Sequence, residues 1–297
     1  MCIRDRFKGS ITALITPFSE GKIDENKFGD FVEWQISQGS HGLVPCGTTG
    51  ESPTLNHAEH MRVTELCIEV SKERVPVMAG CGSNSTDEAI SLVLHAQKAG
   101  ADGALVVTPY YNKPTQEGLF QHFKHVAEST SLPIYIYNIP SRSVVDMEMD
   151  TLRRLAKIPN IVGIKDASCD LDRPKQVANL IGKSFCQLSG EDETVLPFLS
   201  NGGVGCISVT ANIMPKLCSE LHEAWFKQDT KALKKIDSNL QPIHRAMFCE
   251  TSPGPVKFAL SLLGYCSSDM RLPLVEISKK SKQIVKNSMV KAGLLVR

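Results

Sequence analysis

From Ser10 to about Lys227 one pattern recurs, a short apolar run followed by an amphipathic segment, at a spacing of about 25 to 30 residues, which is the signature of repeated βα units. The apolar runs are Ile11–Ile15, Gly42–Val44, Pro76–Ala79, Gly103–Val107, Pro133–Tyr137, Ile161–Lys165, Phe185–Ser189 and Gly205–Val209. Near-continuous runs of this kind fit strands covered on both faces, as parallel sheets require. Eight strands each followed by a helix specify a (β/α)8 TIM barrel more readily than a doubly wound sheet, and no G-x-G-x-x-G follows the first run. Residues 7–228 are therefore expected to form an α/β catalytic barrel.

Helix starts are legible between the runs. Asp24 precedes a Phe28/Phe31/Val32 stripe, Asn56 with Glu59 and Ser85 with Glu88 have capping-box spacing, and Asp146 and Leu171 open two more. After Lys227 the pattern changes: Asp229–Met247, Pro255–Leu263 and Ser278–Ala292 are helical in period with no strand between them. Residues 229–297 thus read as a C-terminal helical appendage, with Gly264 and Gly293 as stops and Pro242 expected to kink or interrupt its helix. The polar stretch Met1–Arg6 fits no element and is assigned to an extension outside the core.

Length and charge narrow the function. With 297 residues, 42% of them hydrophobic, the chain can bury one large core, and a formal net charge of +1 gives no footprint for nucleic acid or an anionic membrane. No run reaches the length of a membrane span, and the N-terminus lacks a charged-then-apolar leader. The 10 cysteines include no C-x-x-C pair, a pattern that suits buried thiols in a reducing cytoplasm better than disulfides or a zinc site. A small-molecule partner is the expectation.

In a barrel the working residues lie at the C-terminal strand ends. Asn160–Ser168 carries Lys165 to the end of a buried run. Such a lysine can bring its charge to solvent or pair with Asp166; stripped of water, its neutral amine can instead attack a carbonyl and form a Schiff base. Gly163, on one face with Ile161 and Lys165, leaves room near the amine, and on the preceding strand Tyr135 and Tyr137 share a face that brings a phenol to the mouth. After the second run, Gly47-Thr48-Thr49-Gly50 forms either an ordinary connection or a turn whose N–H groups receive a carboxylate or phosphate. Tyr110 and Tyr111, in a proline-bounded loop, are interface filler or proton-transfer groups, and Arg142 is a carboxylate clamp or a surface partner of Asp146 or Glu148. The glycines at 202, 203 and 205 permit close backbone approach.

Five segments in this order, GTTGES at Gly47–Ser52, TPYYNKP at Thr108–Pro114, YNIPSR at Tyr137–Arg142, GIKDAS at Gly163–Ser168 and GCISVTAN at Gly205–Asn212, closely resemble the dihydrodipicolinate synthase family of pyruvate-dependent class I aldolases. The resemblance runs from about Phe7 to Leu295. It implies condensation of pyruvate with L-aspartate-4-semialdehyde, opening the diaminopimelate route to lysine. Lys165 would form the imine and Tyr137 would be the acid/base relay. Thr49 would link Tyr137 to Tyr111, supplied by a neighbouring subunit in a homotetramer built as a dimer of dimers. Thr48 and Thr49 would receive the pyruvate carboxylate, Arg142 the carboxylate of the aldehyde, and carbonyls near Gly190 and Ile207 would line the far side. No metal or organic cofactor is implied.

Ser52, Pro53, His57, His60, Asn84, Glu88 and Tyr110 further match the family's allosteric site for L-lysine. Read alone, Glu88 is also the third helical residue of a capping box, and His57 and His60 are also exposed first-turn residues or an adventitious metal pair. The sequence departs from the family pattern at Ser143, Val144 and Asp166. Two competing readings stay open, an aldolase for a sugar-derived 2-keto acid, similar to N-acetylneuraminate lyase, and a catalytically silent binding barrel. Arg142 and the Thr-Thr pair favour the synthase over the first, and the joint presence of Lys165, Tyr137, Thr49, Tyr111 and Arg142 speaks against the second.

Overall fold

The structure, a computed structural model, describes residues 6–296. Eight parallel strands alternate with helices in the (β/α)8 barrel class, and C-terminal helices follow. The strands are β1 Gly9–Ala13, β2 Gly42–Val44, β3 Met78–Gly80, β4 Gly103–Val107, β5 Ile134–Asn138, β6 Ile161–Asp166, β7 Cys186–Ser189 and β8 Gly205–Ser208. The main helices are α1 Glu25–Ser37, α2 His57–Ser71, α3 Thr86–Ala99, α4 Gln116–Glu128, α5 Met149–Leu155, α6 Arg173–Leu180, α7 Val195–Ser200 and α8 Pro215–Phe226, then α9 Thr230–Met247, α10 Gly254–Leu262 and α11 Lys279–Lys291. The chain separates into two compact units, one of Pro76–Ile207 with the chain up to Lys8, the other of Gly9–Val75 with the chain from Ser208 onward. The expected boundary after residue 228 falls inside the second unit, between α8 and α9, which pack on each other.

In the first unit, β3 to β8 are paired in chain order through parallel ladders. Tyr135 of β5 organises the middle of this sheet. Its ring is fully buried and meets Phe7 edge-on at 5.4 Å. Two neighbouring strands place glycine against that ring: a Cβ at Gly103 would lie 3.2 Å from Tyr135 Cε2, and one at Gly163 2.8 Å from Tyr135 Cδ1. The space at Gly163 therefore belongs to Tyr135 and Cys186, and the expectation that it clears the Lys165 amine is corrected on this point. Arg6, expected outside the core, forms an ion pair with Asp102; residues 1–5 of the expected extension lie outside the described residues.

In the second unit, β1 pairs with β2 from Ile11↔Gly42 to Ala13↔Val44. Gln35 of α1 is fully buried among polar groups: it accepts from Thr12 and Ser40 and donates to the carbonyls of Ala211 and Asn212. Asn212 closes the end of β1, accepting from Ile15 N and donating to Ala13 O. A hairpin of Phe18–Ser19 with Lys22–Ile23 turns through Glu20 and Gly21, both in the left-handed region. Strands this short carry no readable alternation.

Helix starts follow local chemistry closely, with exceptions that packing explains. Asp24 caps α1, and Asn56 with Glu59 completes the expected box on α2. At α3 the box fails, because Ser83 Oγ takes the Glu88 carboxylate and also accepts from Ser85 N. The helices expected from Asp146 and Leu171 begin at Met149 and Arg173. Pro242 does not interrupt α9; the turns beyond it bury Ile243, His244, Ala246 and Met247, and that burial outweighs one missing backbone bond.

Gly163→Ala sets a Cβ 2.6 Å from the Cys186 carbonyl, a contact the backbone cannot relieve. The substitution is expected to lower unfolding free energy by about 1–3 kcal/mol, read as a lower urea midpoint with unchanged slope.

Candidate active site

The surroundings of Lys165 are set by one irregularity between β5 and β6. Ile134 registers with Ile161, but from Tyr135 onward the partner moves one residue further along β6, so Tyr135 faces Gly163 and Tyr137 faces Lys165. A one-residue slip exchanges the faces of a strand. Without the shift Tyr137 would face Ile164, and the expected common face of Ile161, Gly163 and Lys165 holds only from Gly163 on. As built, the Lys165 Nζ stands 4.0 Å from the centroid of the Tyr137 ring, and the lysine is only 7% exposed. Gly190, just after β7, packs against the same strand end: a Cβ there would come within 2.6 Å of Ala167 Cβ, 3.1 Å of Asp166 O and 3.2 Å of Lys165 Cε.

Behind this pair lies a charged network that the sequence reading did not single out. Asn138 and Asp166, one residue beyond Tyr137 and Lys165, are themselves register partners. Asp166 accepts from the backbone N and Oγ of Ser168 and forms an ion pair with Arg173 at 2.7 Å. Arg173 also approaches Asp146 at 3.6 Å, and Asp146 accepts from Asn138 Nδ2 at 2.7 Å. The carboxyl expected as a partner for Lys165 is thus committed to Arg173. Burial pushes Asp166 above its ordinary range while the Arg173 charge opposes the shift.

Arg142 is exposed on the one-turn helix Pro140–Ser143 that follows β5. Ser143 fixes that turn, accepting from Thr108 Oγ1 and reaching the carbonyls of Ile139 and Val145, and the next residue, Val144, is held at φ +67°. For a β-branched residue that conformation is strained. Glu191, the first acid of Gly190-Glu191-Asp192-Glu193, was missed. Burial raises its carboxyl, and the charges of Lys165 and Arg142 pull it back, so it lies in the field of both. Three acids directly after a strand end were the available signal.

Tyr111 is 93% exposed with φ +71°, so its phenol projects from its own unit. Asn112 steadies the loop by donating to Asn84 O. Asn84, Glu88 and Tyr110 come together here: burial and the Glu88 carboxylate raise the Tyr110 phenol, and the Asn84 backbone opposes. Ile207 is buried in β8.

The second unit carries the Thr48–Thr49 turn. Gly50 N donates to Gly47 O and Glu51 N to Thr48 O, and Thr49 is buried while Thr48 is half-buried. Glu51, in the left-handed region, carries a carboxylate with no solvent exposure that meets Lys257 of α10 at 2.7 Å. Its other oxygen accepts from Arg271 N, and the Arg271 guanidinium clasps both carboxylate oxygens of Glu59 at 2.6 Å. Hydrogen bonding to Arg271 holds Glu59 below the ordinary carboxylate range. This network was also missed, although Lys257 interrupts the apolar run Val256–Leu263 much as Lys165 ends its own. Ser52 and Pro53 lie on the short helix after Glu51; His57 is exposed and His60 is buried on α2, so the two histidines do not present alike.

Among the described residues no group of three or more His, Cys, Asp or Glu side chains is placed to hold a metal ion, the nine cysteines are free thiols, and no helix is long and apolar enough to cross a membrane. A barrel with a shielded amine at the end of its sixth strand, set over a tyrosine, is of the Schiff-base lyase class. The chain belongs to the dihydrodipicolinate synthetase family, whose sequence model matches residues 6–292. It is similar to the 4-hydroxy-tetrahydrodipicolinate synthase of Rhodospirillum centenum, 61% identical over 97% of this chain and 99% of that one. Among solved structures it resembles the chloride-inhibited dihydrodipicolinate synthase of Acinetobacter baumannii complexed with pyruvate, with a TM-score of 0.94 and 44% identity, covering 97% of this chain and 99% of that one. It also resembles the enzyme of Cyanidioschyzon merolae with lysine bound, with a TM-score of 0.94 and 35% identity over the same shares.

Arg173→Met leaves Asp166 buried without a counter-charge and is expected to cost about 3–5 kcal/mol of stability. Adding Asp166→Asn should restore most of that loss in guanidinium denaturation. Because the folded Asp166 holds its proton more tightly than the unfolded chain does, its contribution to stability falls as pH rises from the ordinary aspartate range through its folded value; the Asn substitution should remove that part of the slope.

Proposed function

We propose that this chain condenses pyruvate with L-aspartate-4-semialdehyde to give 4-hydroxy-tetrahydrodipicolinate, in the lysine and diaminopimelate route. The observation that carries the reading is the Lys165 amine, shielded at a strand end and set 4.0 Å over the Tyr137 ring. Attack of that amine on the pyruvate ketone forms an imine and releases water. The protonated imine nitrogen then accepts the electron pair left when the methyl proton departs, and the resulting enamine carbon attacks the aldehyde. Tyr137 relays the protons.

The remaining assignments follow the family pattern. The Thr48–Thr49 turn receives the pyruvate carboxylate on its N–H groups and hydroxyls, and Arg142 binds the carboxylate of the aldehyde. Carbonyls near Gly190 and Ile207 line the far side. Thr49 passes the proton chain to a Tyr111 supplied by another subunit, in a homotetramer built as a dimer of dimers; a tyrosine 93% exposed on a strained backbone supports that use. Ser52, Pro53, His57, His60, Asn84, Glu88 and Tyr110 form the L-lysine effector site, supported by the meeting of Asn84, Glu88 and Tyr110 and by the lysine-bound relative. We assign the catalytic barrel to residues 7–228 and a helical domain to 229–297, working in the cytoplasm without metal or organic cofactor.

Borohydride reduction in the presence of pyruvate is expected to fix one pyruvate-derived adduct on Lys165, located by peptide mapping, and an unlabelled Lys165 would falsify the mechanism. Tyr137→Phe should keep the adduct while kcat falls about 10²–10⁴-fold. Arg142→Ala should raise KM for the aldehyde about tenfold or more and leave KM for pyruvate unchanged. N-acetylmannosamine or glyceraldehyde outcompeting aspartate semialdehyde as acceptor would move the assignment to a sugar-acid aldolase. For the effector, titration calorimetry should register L-lysine binding that Glu88→Ala abolishes.

A further inference from the structure

Every polar atom of Glu51 is occupied. Its N–H donates to Thr48 O at 3.1 Å and its carbonyl accepts from Thr54 N at 3.0 Å. One carboxylate oxygen meets Lys257 Nζ at 2.7 Å and the other accepts from Arg271 N at 3.1 Å. Lys257 is equally enclosed: its Nζ also donates to Thr16 O at 3.0 Å and lies 4.3 Å from the Phe18 ring centroid, and both side chains of the pair have zero exposure. Thr16 in turn donates to Gly50 O at 2.7 Å. Thus the Thr48–Thr49 and Gly50–Glu51 peptide units, which bracket the turn, are tied to groups that converge on Lys257.

Glu51 sits at φ +56°, a conformation that is unfavourable for a non-glycine residue and persists only where the surroundings enforce it. A buried ion pair adds little net stability over apolar residues of equal volume. What it supplies is direction, since a carboxylate held on two sides leaves the turn one orientation. Both holding groups come from the C-terminal segment, Lys257 from α10 and Arg271 from the loop after it.

We propose that Lys257, acting through Glu51, is a positioning residue for the Thr48–Thr49 turn, so that the C-terminal helical segment sets the affinity of the barrel for the carboxylate of its keto-acid substrate. The inference rests on the reading that this turn receives the pyruvate carboxylate. It assigns the C-terminal segment a part in substrate binding, beyond packing against the barrel helices.

The test compares borohydride trapping on Lys165 with pyruvate and with methyl pyruvate, whose ester carries no charge for the turn to hold. In the full-length protein carrying Lys257→Met with Glu51→Gln, the half-saturating concentration should rise at least tenfold for pyruvate and less than twofold for methyl pyruvate, with kcat at saturating pyruvate changed far less than KM. Glu51→Gln alone, which is isosteric, should shift pyruvate in the same direction and serves as the readout if circular dichroism shows the double variant unfolded. A folded variant with unchanged pyruvate saturation overturns the proposal, as does an equal rise for both ketones, which marks a general structural loss. The wild-type protein separates the underlying reading: no adduct at all rejects the Schiff-base assignment, and an adduct without preference for the charged ketone rejects the turn as its carboxylate site.

Discussion

The pairing of Tyr137 with Lys165 is the constraint on which the first unit's candidate site depends, and it exists because β6 advances by one residue against β5. Parallel ladders hold neighbouring side chains to one face, so a phenol and an amine can meet only if they share a rung. The shift lies immediately before Tyr135, whose enclosed ring needs glycine on both flanking strands. Bulk at Tyr135, absence of bulk at Gly103 and Gly163, and the position of Lys165 are therefore one arrangement. A change at any of them is felt at the amine.

In each unit, charges gather in compensated groups with a buried pair at the centre. Asp166, Arg173 and Asp146 brace the ends of β5 and β6 in the first unit, and Glu51, Lys257, Arg271 and Glu59 brace the turn and the start of α2 in the second. Removing a carboxylate or ammonium from water is expensive, so each such group fixes the direction of its partners wherever it occurs. Asp166 stands one residue from Lys165 in the chain and Glu51 two from Thr49.

Much of this was legible beforehand, because the features concerned are local. Strand positions follow from apolar runs, and all eight fall within two residues of the expected ones because a strand covered on both faces must be apolar throughout. The Asn56–Glu59 box formed even though Arg271 also binds both Glu59 oxygens, because Glu59 Oε2 still accepts from Asn56 N, whereas the Ser85–Glu88 box lost its acid to Ser83. Pro242 marks the limit of local rules from the other side, since tertiary burial kept α9 continuous through it. The hairpin at Phe18 was too short to carry a period.

What the sequence by itself determined is the repeated βα order and the placing of Lys165, Tyr137, Arg142 and the Thr48–Thr49 turn at strand ends, because side-chain periodicity and turn chemistry act over a few residues. What only the tertiary structure decided is which distant groups meet. Glu51 and Lys257 are 206 positions apart, and no local pattern records their contact. The register of β5 on β6 is likewise a bargain between Tyr135, Gly163 and Cys186, struck only when the strands pack. Burial makes such contacts strong and leaves them unwritten in any short stretch of chain, since the cost of an unpaired buried charge or a misplaced Cβ arises only once water has left.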